Sequence, residues 1–259
     1  MLPKGIHLGC GLIGIGREWG YKKTEIPSER VVLDFLENAY NLGIRYFDTA
    51  PSYGLSEERL GKFLQHLLPD QRKEIIVATK FGEYWDVDKH EVYTDHKYNK
   101  LVESLDQSFE RLGKIDVLQL HKTSPEVLKS IDLQKAWLYA QKAGISYFGA
   151  SVSDIISAKI VCEDPNYQVI QLPFNSINTL FADIIKLAKS QNKFIVINRP
   201  FQMGEILYSS AQKGREEEKL HAYHYILEKH FNGIILTGTK DRDHLKENMT
   251  AFQTAQLND

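Results

Sequence analysis

Three apolar runs in the first half of the chain each end in a polar side chain that can do chemistry. The runs are rich in β-branched and aromatic residues, which is typical of buried strands. If the strands are parallel and adjacent, their carboxyl ends meet on one side of the sheet and bring these side chains together. The residues are Asp48, Lys80 and His121, after runs that begin at Ile44, Ile75 and Ile115, together with Tyr53, which stands five residues after Asp48.

These four side chains could act together as a proton donor in carbonyl chemistry. A phenol titrates near pH 10 in water, which is too high for an efficient acid at neutral pH. The Lys80 ammonium would favour phenolate and so lower the pKa of Tyr53, while Asp48 would keep Lys80 charged and in place. His121 could orient a substrate oxygen or share in delivering the proton. Because no side chain supplies a hydride, a redox cofactor would be needed.

The runs that carry these residues belong to a longer alternation of strands and helices. Eight apolar runs alternate with helical patterns, and no linker or change of composition divides the 259 residues. This pattern is typical of an α/β protein with the (β/α)8 TIM-barrel fold, for which about 250 residues are usual. We therefore predict a single barrel domain over residues 1–259. The predicted strands are Ile6–Leu8, Ile44–Asp48, Ile75–Thr79, Ile115–Leu120, Tyr147–Ala150, Val169–Leu172, Phe194–Ile197 and Gly233–Leu236.

Serine, glycine and proline mark where several helices begin and end. Ser28 and Ser56 are the predicted N-caps of the helices on either side of the second strand. Gly43 is well placed at the C′ position of the first of these helices. Pro125 suits the first turn of a helical region that is predicted to reach Gly144.

Composition and charge restrict the class of partner. A net charge of −2 argues against nucleic acid or an anionic membrane as the main partner. Cys10 and Cys162 lie far apart without metal-ligand spacing, so no metal site is expected and a reducing compartment is favoured. The amino terminus lacks an apolar signal core, and no stretch is long enough to span a membrane. We expect a soluble cytoplasmic protein whose oligomeric state is open, a monomer being allowed.

A glycine-rich segment near the amino terminus offers a competing cofactor site. Gly9, Gly11 and Gly14 match G-x-G-x-x-G, and Asp34 follows about 20 residues on, as in a dinucleotide-binding fingerprint. In that fingerprint the glycines open a helix, whereas residues 16–20 read as the continuation of an irregular loop. We therefore interpret this segment as a flexible loop between a strand and a helix.

Three segments around the polar residues resemble the motifs of the aldo-keto reductase family. GIRYFDTAPSYGLSEERLG resembles the signature around the family's Asp and Tyr, VATKFG its Lys motif and LQLHK its His motif. The resemblance implies a (β/α)8 barrel that holds an extended NAD(P)H, usually NADPH, without a Rossmann domain. It also implies reduction of a small-molecule aldehyde or ketone to an alcohol. The implied catalytic tetrad is Asp48, Tyr53, Lys80 and His121, with Tyr53 as the general acid.

Later segments resemble the family's cofactor-binding motifs. In FGASVS, Ser151 matches a residue of the nicotinamide-binding segment, and in VIQLPFN, Gln171 matches the residue that binds the carboxamide. The tail GTKDRDHLKEN resembles the segment that holds the adenosine phosphate and the adenine. The implied cofactor-binding residues are Ser151, Gln171, Arg199, Gly238, Thr239, Lys240, Glu247 and Asn248.

The chain departs from the family pattern at several of these places. Val152 stands where many members have Asn, and His244 stands where the tail motif usually has Arg. Residues 198 and 199, Asn and Arg, follow the seventh strand where many members have an aromatic side chain that stacks on nicotinamide. Lys240 or Arg242 could still meet a 2′-phosphate, so NADPH is the expected cofactor and NADH the alternative.

Two alternative functions stay open from the sequence. The altered Val152 and Asn198 allow a barrel that binds a nicotinamide cofactor as a redox sensor or subunit with little turnover. A Schiff-base role for Lys80, as in barrel aldolases, is opposed by Asp48, because a paired lysine stays protonated and poorly nucleophilic.

Aromatic residues in the loops after the first and third strands are candidates for the rim of a substrate pocket. The segment after Lys80 is expected to be a polar, aromatic loop. A pocket rimmed by such side chains would suit apolar or aromatic carbonyl compounds. The candidates are Trp19, Tyr21, Tyr84 and Trp85.

Overall fold

A closed barrel of eight parallel strands forms the centre of the molecule. The computed structural model describes residues 1–19, 25–208 and 212–257, except for the side chains of residues 212 and 213. Each barrel strand pairs with the next along the chain, and the last pairs with the first. This is the predicted (β/α)8 barrel. Its strands are β1 (Ile6–Gly11), β2 (Tyr46–Asp48), β3 (Ile76–Phe81), β6 (Val117–Leu120), β7 (Tyr147–Ser151), β8 (Val169–Pro173), β9 (Phe194–Asn198) and β10 (Gly233–Thr237).

Helices lie outside the barrel and connect its strands. The region from Pro125 to Gly144, predicted as one helical stretch, is divided into two helices. Short 3₁₀ turns cover Pro51–Tyr53 and Gln202–Gly204. The helices are α1 (Ile13–Gly16), α2 (Glu29–Asn41), α3 (Ser56–His66), α4 (Pro69–Glu74), α5 (Tyr98–Leu112), α6 (Pro125–Leu128), α7 (Ile131–Lys142), α8 (Ile155–Glu163), α9 (Ala182–Ser190), α10 (Glu205–Tyr208), α11 (Gln212–Leu227) and α12 (Arg242–Leu257).

An antiparallel hairpin stands between β3 and α5, where the sequence predicted a polar, aromatic loop. Its strands are β4 (Glu83–Asp86) and β5 (Glu91–Thr94), with Glu83 opposite Thr94. Tyr84 anchors the hairpin, since its buried hydroxyl accepts a hydrogen bond from the backbone N–H of Gly82 at 3.0 Å. The hairpin follows the carboxyl end of β3 and so extends the side of the barrel where parallel-barrel enzymes place their active sites.

Gly43 and Ser28 stand at their predicted positions around α2, but neither predicted serine N-cap makes a capping hydrogen bond. Gly43 follows α2 with φ of 92°, as expected for a C′ glycine. Ser28 precedes α2, but its side chain makes no capping hydrogen bond. Ser56 is the first residue of α3 rather than its N-cap, and its hydroxyl donates to the carbonyl of Leu12 at 3.0 Å. That hydrogen bond fastens the start of α3 to the end of β1.

The glycine-rich segment is part of the barrel wall rather than a flexible loop. Gly9 and Gly11 lie in β1, which is longer than predicted, and Gly14 lies in the single turn α1. The side chain of Ile234 in β10 comes within 2.6 Å of the point where a Cβ on Gly9 would stand. Gly9 therefore allows β1 and β10 to pack closely, a role that requires no nucleotide.

The apolar residues form two layers. One fills the inside of the barrel and the other lies between the barrel and its helices. The interior layer is made of Tyr46, Ala78, Val117, Val169, Phe194, Val196, Ile234 and Leu236. Among the described residues, no helix combines the length and apolar character required to cross a lipid bilayer.

Candidate active site

A buried ion pair joins the ends of β2 and β3. Lys80 Nζ lies 2.5 Å from Asp48 Oδ1 and also donates to the carbonyl of Thr49 at 2.9 Å. The other carboxylate oxygen of Asp48 accepts from the side-chain amides of Gln119, at 3.1 Å, and Gln171, at 3.2 Å. Both charged side chains are at most 2% exposed. Asp48 is thus held by three donors from three different strands.

Lys80 remains an ammonium in this setting. Burial by itself lowers the pKa of the Lys80 amine, but the adjacent Asp48 carboxylate, with a contribution from Tyr53, outweighs it and leaves the pKa raised. A protonated amine has no lone pair with which to attack a carbonyl carbon. The geometry therefore argues against a Schiff-base lysine, as the sequence did.

Tyr53 lies beside this ion pair at the end of the 3₁₀ turn that follows β2. Lys80 Nζ is 4.8 Å from the centre of the Tyr53 ring. The turn packs closely against Gly16, since a Cβ on that residue would stand 1.9 Å from the Tyr53 carbonyl oxygen. The amide of Leu55 also donates to the Gly16 carbonyl at 3.2 Å. A glycine in α1 thus allows the close approach that places the phenol.

The pKa of Tyr53 differs from the sequence-based expectation. Burial raises the pKa of the phenol, and the Lys80 ammonium opposes this effect without overcoming it. The net pKa is raised, where the sequence argument predicted that it would be lowered. The sequence revealed the neighbouring charge but not the depth of burial. Tyr53 is accordingly a neutral phenol that carries a proton to donate.

His121 completes the group from the end of β6. Its ring packs edge-on against Tyr53, with ring centres 6.1 Å apart. Its Nδ1 lies 3.4 Å from the Ser52 hydroxyl and 3.0 Å from Glu83 Oε2. Burial, followed by the nearby cations, holds the pKa of the imidazole well below its usual value, so the ring is neutral. The structure thus brings all four predicted residues together at one end of the barrel.

Two polar residues of this cluster were missed from the sequence. Gln119 lies opposite Lys80 in the β3–β6 pairing and donates to Asp48. The sequence could have revealed Gln119, because residues two apart in a strand point to the same face, and Gln119 stands two residues before His121. Glu83 is only 4% exposed and contacts His121 from the unpredicted hairpin. The sequence indicates Glu83 less clearly, since it is a single acidic residue among apolar and aromatic residues shortly after Lys80.

Residues at the ends of β7, β8 and β9 offer hydrogen-bonding groups to a nicotinamide. Ser151 and Gln171 are paired across β7 and β8. Gln171 Oε1 and Asn198 Oδ1 are both buried without a hydrogen-bond partner among the described residues. A carboxamide NH₂ would satisfy such acceptors, so this wall fits the cofactor. Arg199 is exposed, and its backbone has a φ of 55°.

The segment after β10 contacts Glu25, which stands shortly before α2. A Cβ on Gly238 would meet no atom within 4 Å, so the backbone there is open to a close ligand. Thr239 is only partly buried, and its hydroxyl accepts from the amide of Asp241 at 3.1 Å. Lys240 Nζ donates to the backbone carbonyl of Glu25, and burial lowers the pKa of its amine. Lys240 is therefore partly engaged by the protein itself.

The last two predicted cofactor residues lie on α12 and face different surroundings. Glu247 is half exposed and pairs with the buried ammonium of Lys219. Asn248 is buried, and its side-chain amide donates to the Thr237 hydroxyl at 2.7 Å. The Asn248 amide therefore ties α12 to β10, while the Glu247 carboxylate stays at the surface.

The candidate pocket aromatics divide into two groups. Tyr84 is a buried residue of the hairpin strand β4 rather than an exposed side chain at a pocket rim. The rings of Trp19 and Trp85 both lie close to Arg17, with ring centres 5.4 and 5.1 Å from the guanidinium carbon. Both rings make cation–π contacts with a guanidinium, so this part of the rim is more polar than the apolar wall that was expected. Tyr21 lies outside the described residues.

Known proteins are similar to this chain in sequence and in fold. An oxidoreductase of Bacillus subtilis is 26% identical over 221 residues, which cover 84% of this chain and 68% of that protein. An NADP(+)-linked aldo-keto reductase of Schizosaccharomyces pombe is 28% identical over 207 residues, covering 76% of this chain and 58% of that protein. A solved structure from Pseudomonas aeruginosa, assigned to the aldo-keto reductases, superposes with a TM-score of 0.78 at 23% identity, covering 96% of this chain and 90% of that one.

A protein-family model matches most of the chain. The model described as the Aldo/keto reductase family matches residues 7–221. That span contains the four clustered residues and the ends of β7, β8 and β9, but it stops before the segment that follows β10. Because the match covers far more than half of the chain, this protein belongs to the aldo-keto reductase family.

Proposed function

We propose that this protein is an NAD(P)H-dependent oxidoreductase that reduces the carbonyl group of small aldehydes or ketones to alcohols. The observation that carries the proposal is the buried pair of Asp48 and Lys80, with the Lys80 ammonium 4.8 Å from the centre of the Tyr53 ring. A cation fixed beside a neutral phenol is an arrangement suited to giving up a proton and stabilising the phenolate that remains.

Each residue of the cluster has a distinct part in this chemistry. Tyr53 donates its proton to the carbonyl oxygen as negative charge develops there, and Lys80 stabilises the resulting phenolate. Asp48 holds Lys80 in place and compensates its charge in a setting from which water is excluded. His121, neutral and edge-on to Tyr53, borders the position where the oxygen atom reacts. The nicotinamide cofactor, when bound, supplies the hydride.

The cofactor in this proposal is NADPH, with NADH as the alternative. Ser151, Gln171 and Arg199 would hold the nicotinamide half at the ends of β7, β8 and β9. The segment from Gly238 to Lys240 and the surface residue Glu247 would hold the adenosine half. Asn248 would act there by fixing α12 to β10, since its amide is bonded to Thr237.

The remaining expectations are part of the same proposal. Residues 1–259 would act as one barrel domain in the cytoplasm, as a monomer or an oligomer. A small carbonyl compound would be its partner, with no nucleic acid or membrane involved. The net charge of −2 supports that expectation.

Turnover of a panel of aldehydes and ketones, followed by the loss of NADPH or NADH absorbance, tests the proposal. We expect Tyr53→Phe to lower kcat by at least about 100-fold, because the proton donor is lost. The matched control is Tyr139→Phe on α7, whose hydroxyl donates to Asp106 on the outer surface. The control should turn over like the wild type. A Tyr53→Phe enzyme with wild-type turnover would remove the catalytic role.

Direct binding of both cofactors, measured by fluorescence, separates the enzyme from the non-catalytic alternative. Tight binding with turnover of no compound in the panel would favour a redox sensor or subunit. Binding of neither cofactor would reject both functions.

A further inference from the structure

The guanidinium of Arg17 has a buried nitrogen without a hydrogen-bond partner. Arg17 is the C-cap of α1, and its backbone amide donates to the carbonyl of Ile13 at 3.1 Å. The side chain is partly buried, and its Nε atom is buried with no acceptor among the described residues. A buried N–H without an acceptor is unfavourable, because it has lost its hydration and gained no hydrogen bond in return. A bound ligand could supply the acceptor that the protein does not.

Arg17 lies on the side of the hairpin that faces the four clustered residues. Residues two apart in a strand point to the same face, so Glu83 and Trp85 of β4 share one face of the hairpin. Glu83 Oε2 lies 3.0 Å from His121 Nδ1, and the ring centre of Trp85 lies 5.1 Å from the guanidinium carbon of Arg17. The face that reaches His121 is therefore the face that Arg17 contacts.

Arg17 is also close to the turn that carries Tyr53. A Cβ on Gly54, the next residue after Tyr53, would stand 3.5 Å from the Cβ of Arg17. Burial has the largest effect in lowering the pKa of the His121 imidazole, and the Arg17 cation adds to it. A substrate whose carbonyl oxygen meets Tyr53 would therefore have the Arg17 cation among its neighbours.

The charge of Arg17 is not paired within the part of the chain that the structure describes. No carboxylate of residues 1–19, 25–208 and 212–257 forms an ion pair with it. Glu83 is the nearby acid whose charge acts on Arg17. However, the two carboxylate oxygens of Glu83 already face other groups, His121 Nδ1 at 3.0 Å and Lys122 Nζ at 3.4 Å. Arg17 is thus a cation beside the site that can accept an anionic partner.

We propose that Arg17 binds a carboxylate on the carbonyl substrate, so that the protein prefers aldehydes or ketones that carry this negative charge. A guanidinium can donate two parallel N–H bonds to a carboxylate. The cation–π contacts with Trp19 and Trp85 involve the charge of Arg17 and leave its N–H donors available. One guanidinium matches the single charge of a carboxylate, whereas a dianionic phosphate would keep an uncompensated charge near Glu83. This inference about the substrate rests on the proposed function.

Binding of a carboxylate at Arg17 can be tested without turnover. Two of the three tryptophans of the chain contact Arg17, so their fluorescence reports a ligand at its guanidinium. The probes are 4-(hydroxymethyl)benzoate and its neutral amide, 4-(hydroxymethyl)benzamide, titrated into the full chain with and without NADP⁺. We expect the benzoate to bind at least about 10-fold more tightly than the amide, as one charge-assisted contact would allow. Equal Kd values, or no binding of the benzoate, would overturn the inference whether or not the protein reduces carbonyl compounds.

Replacing Arg17 tests whether this side chain is the source of the preference. We expect Arg17→Met to lower the ratio of kcat/KM for 4-carboxybenzaldehyde to kcat/KM for 4-formylbenzamide by at least about 10-fold, and to raise the Kd for 4-(hydroxymethyl)benzoate by a similar factor. Arg30→Met is the control, because it removes one positive charge from the exposed surface of α2. Its ratio and Kd should match those of the wild type.

The outcomes separate this inference from the proposed function. An unchanged ratio and Kd in Arg17→Met would overturn the role of Arg17, even if both aldehydes are reduced. Charge-selective binding of the benzoate that is lost in Arg17→Met, with turnover of neither aldehyde, would support Arg17 as a carboxylate site and contradict the proposed reduction.

Discussion

Asp48 and Lys80 form an ion pair that is almost completely buried, with 2.5 Å between Oδ1 and Nζ. Two side-chain amides donate to the second oxygen of Asp48, so both carboxylate oxygens are hydrogen-bonded within the protein. Removing one partner leaves the other charge buried and uncompensated, which is far less favourable than removing both. The pair therefore stabilises the fold only as a unit.

A double-mutant cycle measures this coupling. We expect Asp48→Asn and Lys80→Met each to lower the free energy of unfolding by about 3–5 kcal/mol. The double variant should lose less than the sum, with a coupling free energy of about 1–3 kcal/mol from urea unfolding. Asp70→Asn and Lys73→Met form the control cycle, because that pair is exposed on α4. Additive losses at Asp48 and Lys80 would contradict the picture of a mutually dependent pair.

Two adjacent glutamates on α3 should differ widely in their effect on stability. Glu57 is fully buried and accepts from Thr79, Ser108 and Arg111, which joins α3 to β3 and α5. Its neighbour Glu58 pairs with Lys62 at the surface.

We expect Glu57→Gln to lower the free energy of unfolding by about 2–3 kcal/mol, since the NH₂ of the new amide would face groups that themselves donate hydrogen bonds. Glu58→Gln should change it by less than about 0.5 kcal/mol. Denaturant unfolding of both variants provides the comparison. Equal losses would mean that the network around Glu57 contributes little.

Much of this site could be predicted because strand ends leave a pattern in the sequence. Asp48, Lys80 and His121 follow runs of β-branched residues, and the barrel brings such ends together without any further information. Lys80 proved to lie within β3 rather than after it, a small error that left its side chain on the predicted rim.

Other features depend on three-dimensional packing that no local pattern reports. All four residues of the hairpin strand β5 are exposed. Their sequence, EVYT, does not alternate between apolar and polar side chains as a half-buried strand would. Without that hairpin, the contact between Glu83 and His121 could not be foreseen. The pKa of Tyr53 required a balance between burial and the charge of Lys80, and the sequence supplied only the charge.

The close approach of Gly16 to the Tyr53 turn predicts a catalytic effect from a single methyl group. In Gly16→Ala the Cβ would overlap the Tyr53 carbonyl oxygen and the Ser56 amide nitrogen, which lies 2.5 Å away. The turn must shift, so we expect kcat to fall by about 10- to 100-fold through misplacement of the phenol. Gly11→Ala is the control, as its nearest atoms would stand at 3.7 Å. Similar kcat values for the two variants would rule out this role for Gly16.

Cofactor preference can be tested at the start of α12. Lys240 is engaged by the Glu25 carbonyl, whereas Arg242 is exposed, so we propose Arg242 as the residue that meets a 2′-phosphate. We expect Arg242→Met to raise the Kd for NADPH by about 5- to 10-fold, as loss of one charge-assisted contact would do. The Kd for NADH should not change. Lys246→Met, exposed on the same helix, is the control for net charge. If the Kd values for NADPH and NADH rose equally, Arg242 would not be the residue that recognises the 2′-phosphate.

The neutral state of His121 predicts how stability depends on pH. The pKa of His121 in the folded protein is well below its ordinary value of about 6.5, which the unfolded chain retains. Below that value the unfolded chain binds a proton that the folded protein does not, so stability is full above pH 6.5 and falls as the pH is lowered. The slope from this one group approaches about 1.4 kcal/mol per pH unit.

Urea unfolding of the wild type and of His121→Gln between pH 7 and pH 5 measures that contribution. We expect the wild type to lose about 1–2 kcal/mol more than His121→Gln over this interval, because only the wild type carries the suppressed histidine. His221→Gln, at an exposed position on α11, is the control and should follow the wild type. If the wild type instead gained stability toward pH 5 relative to His121→Gln, the Glu83 carboxylate would be stabilising an imidazolium, and His121 would be charged rather than neutral.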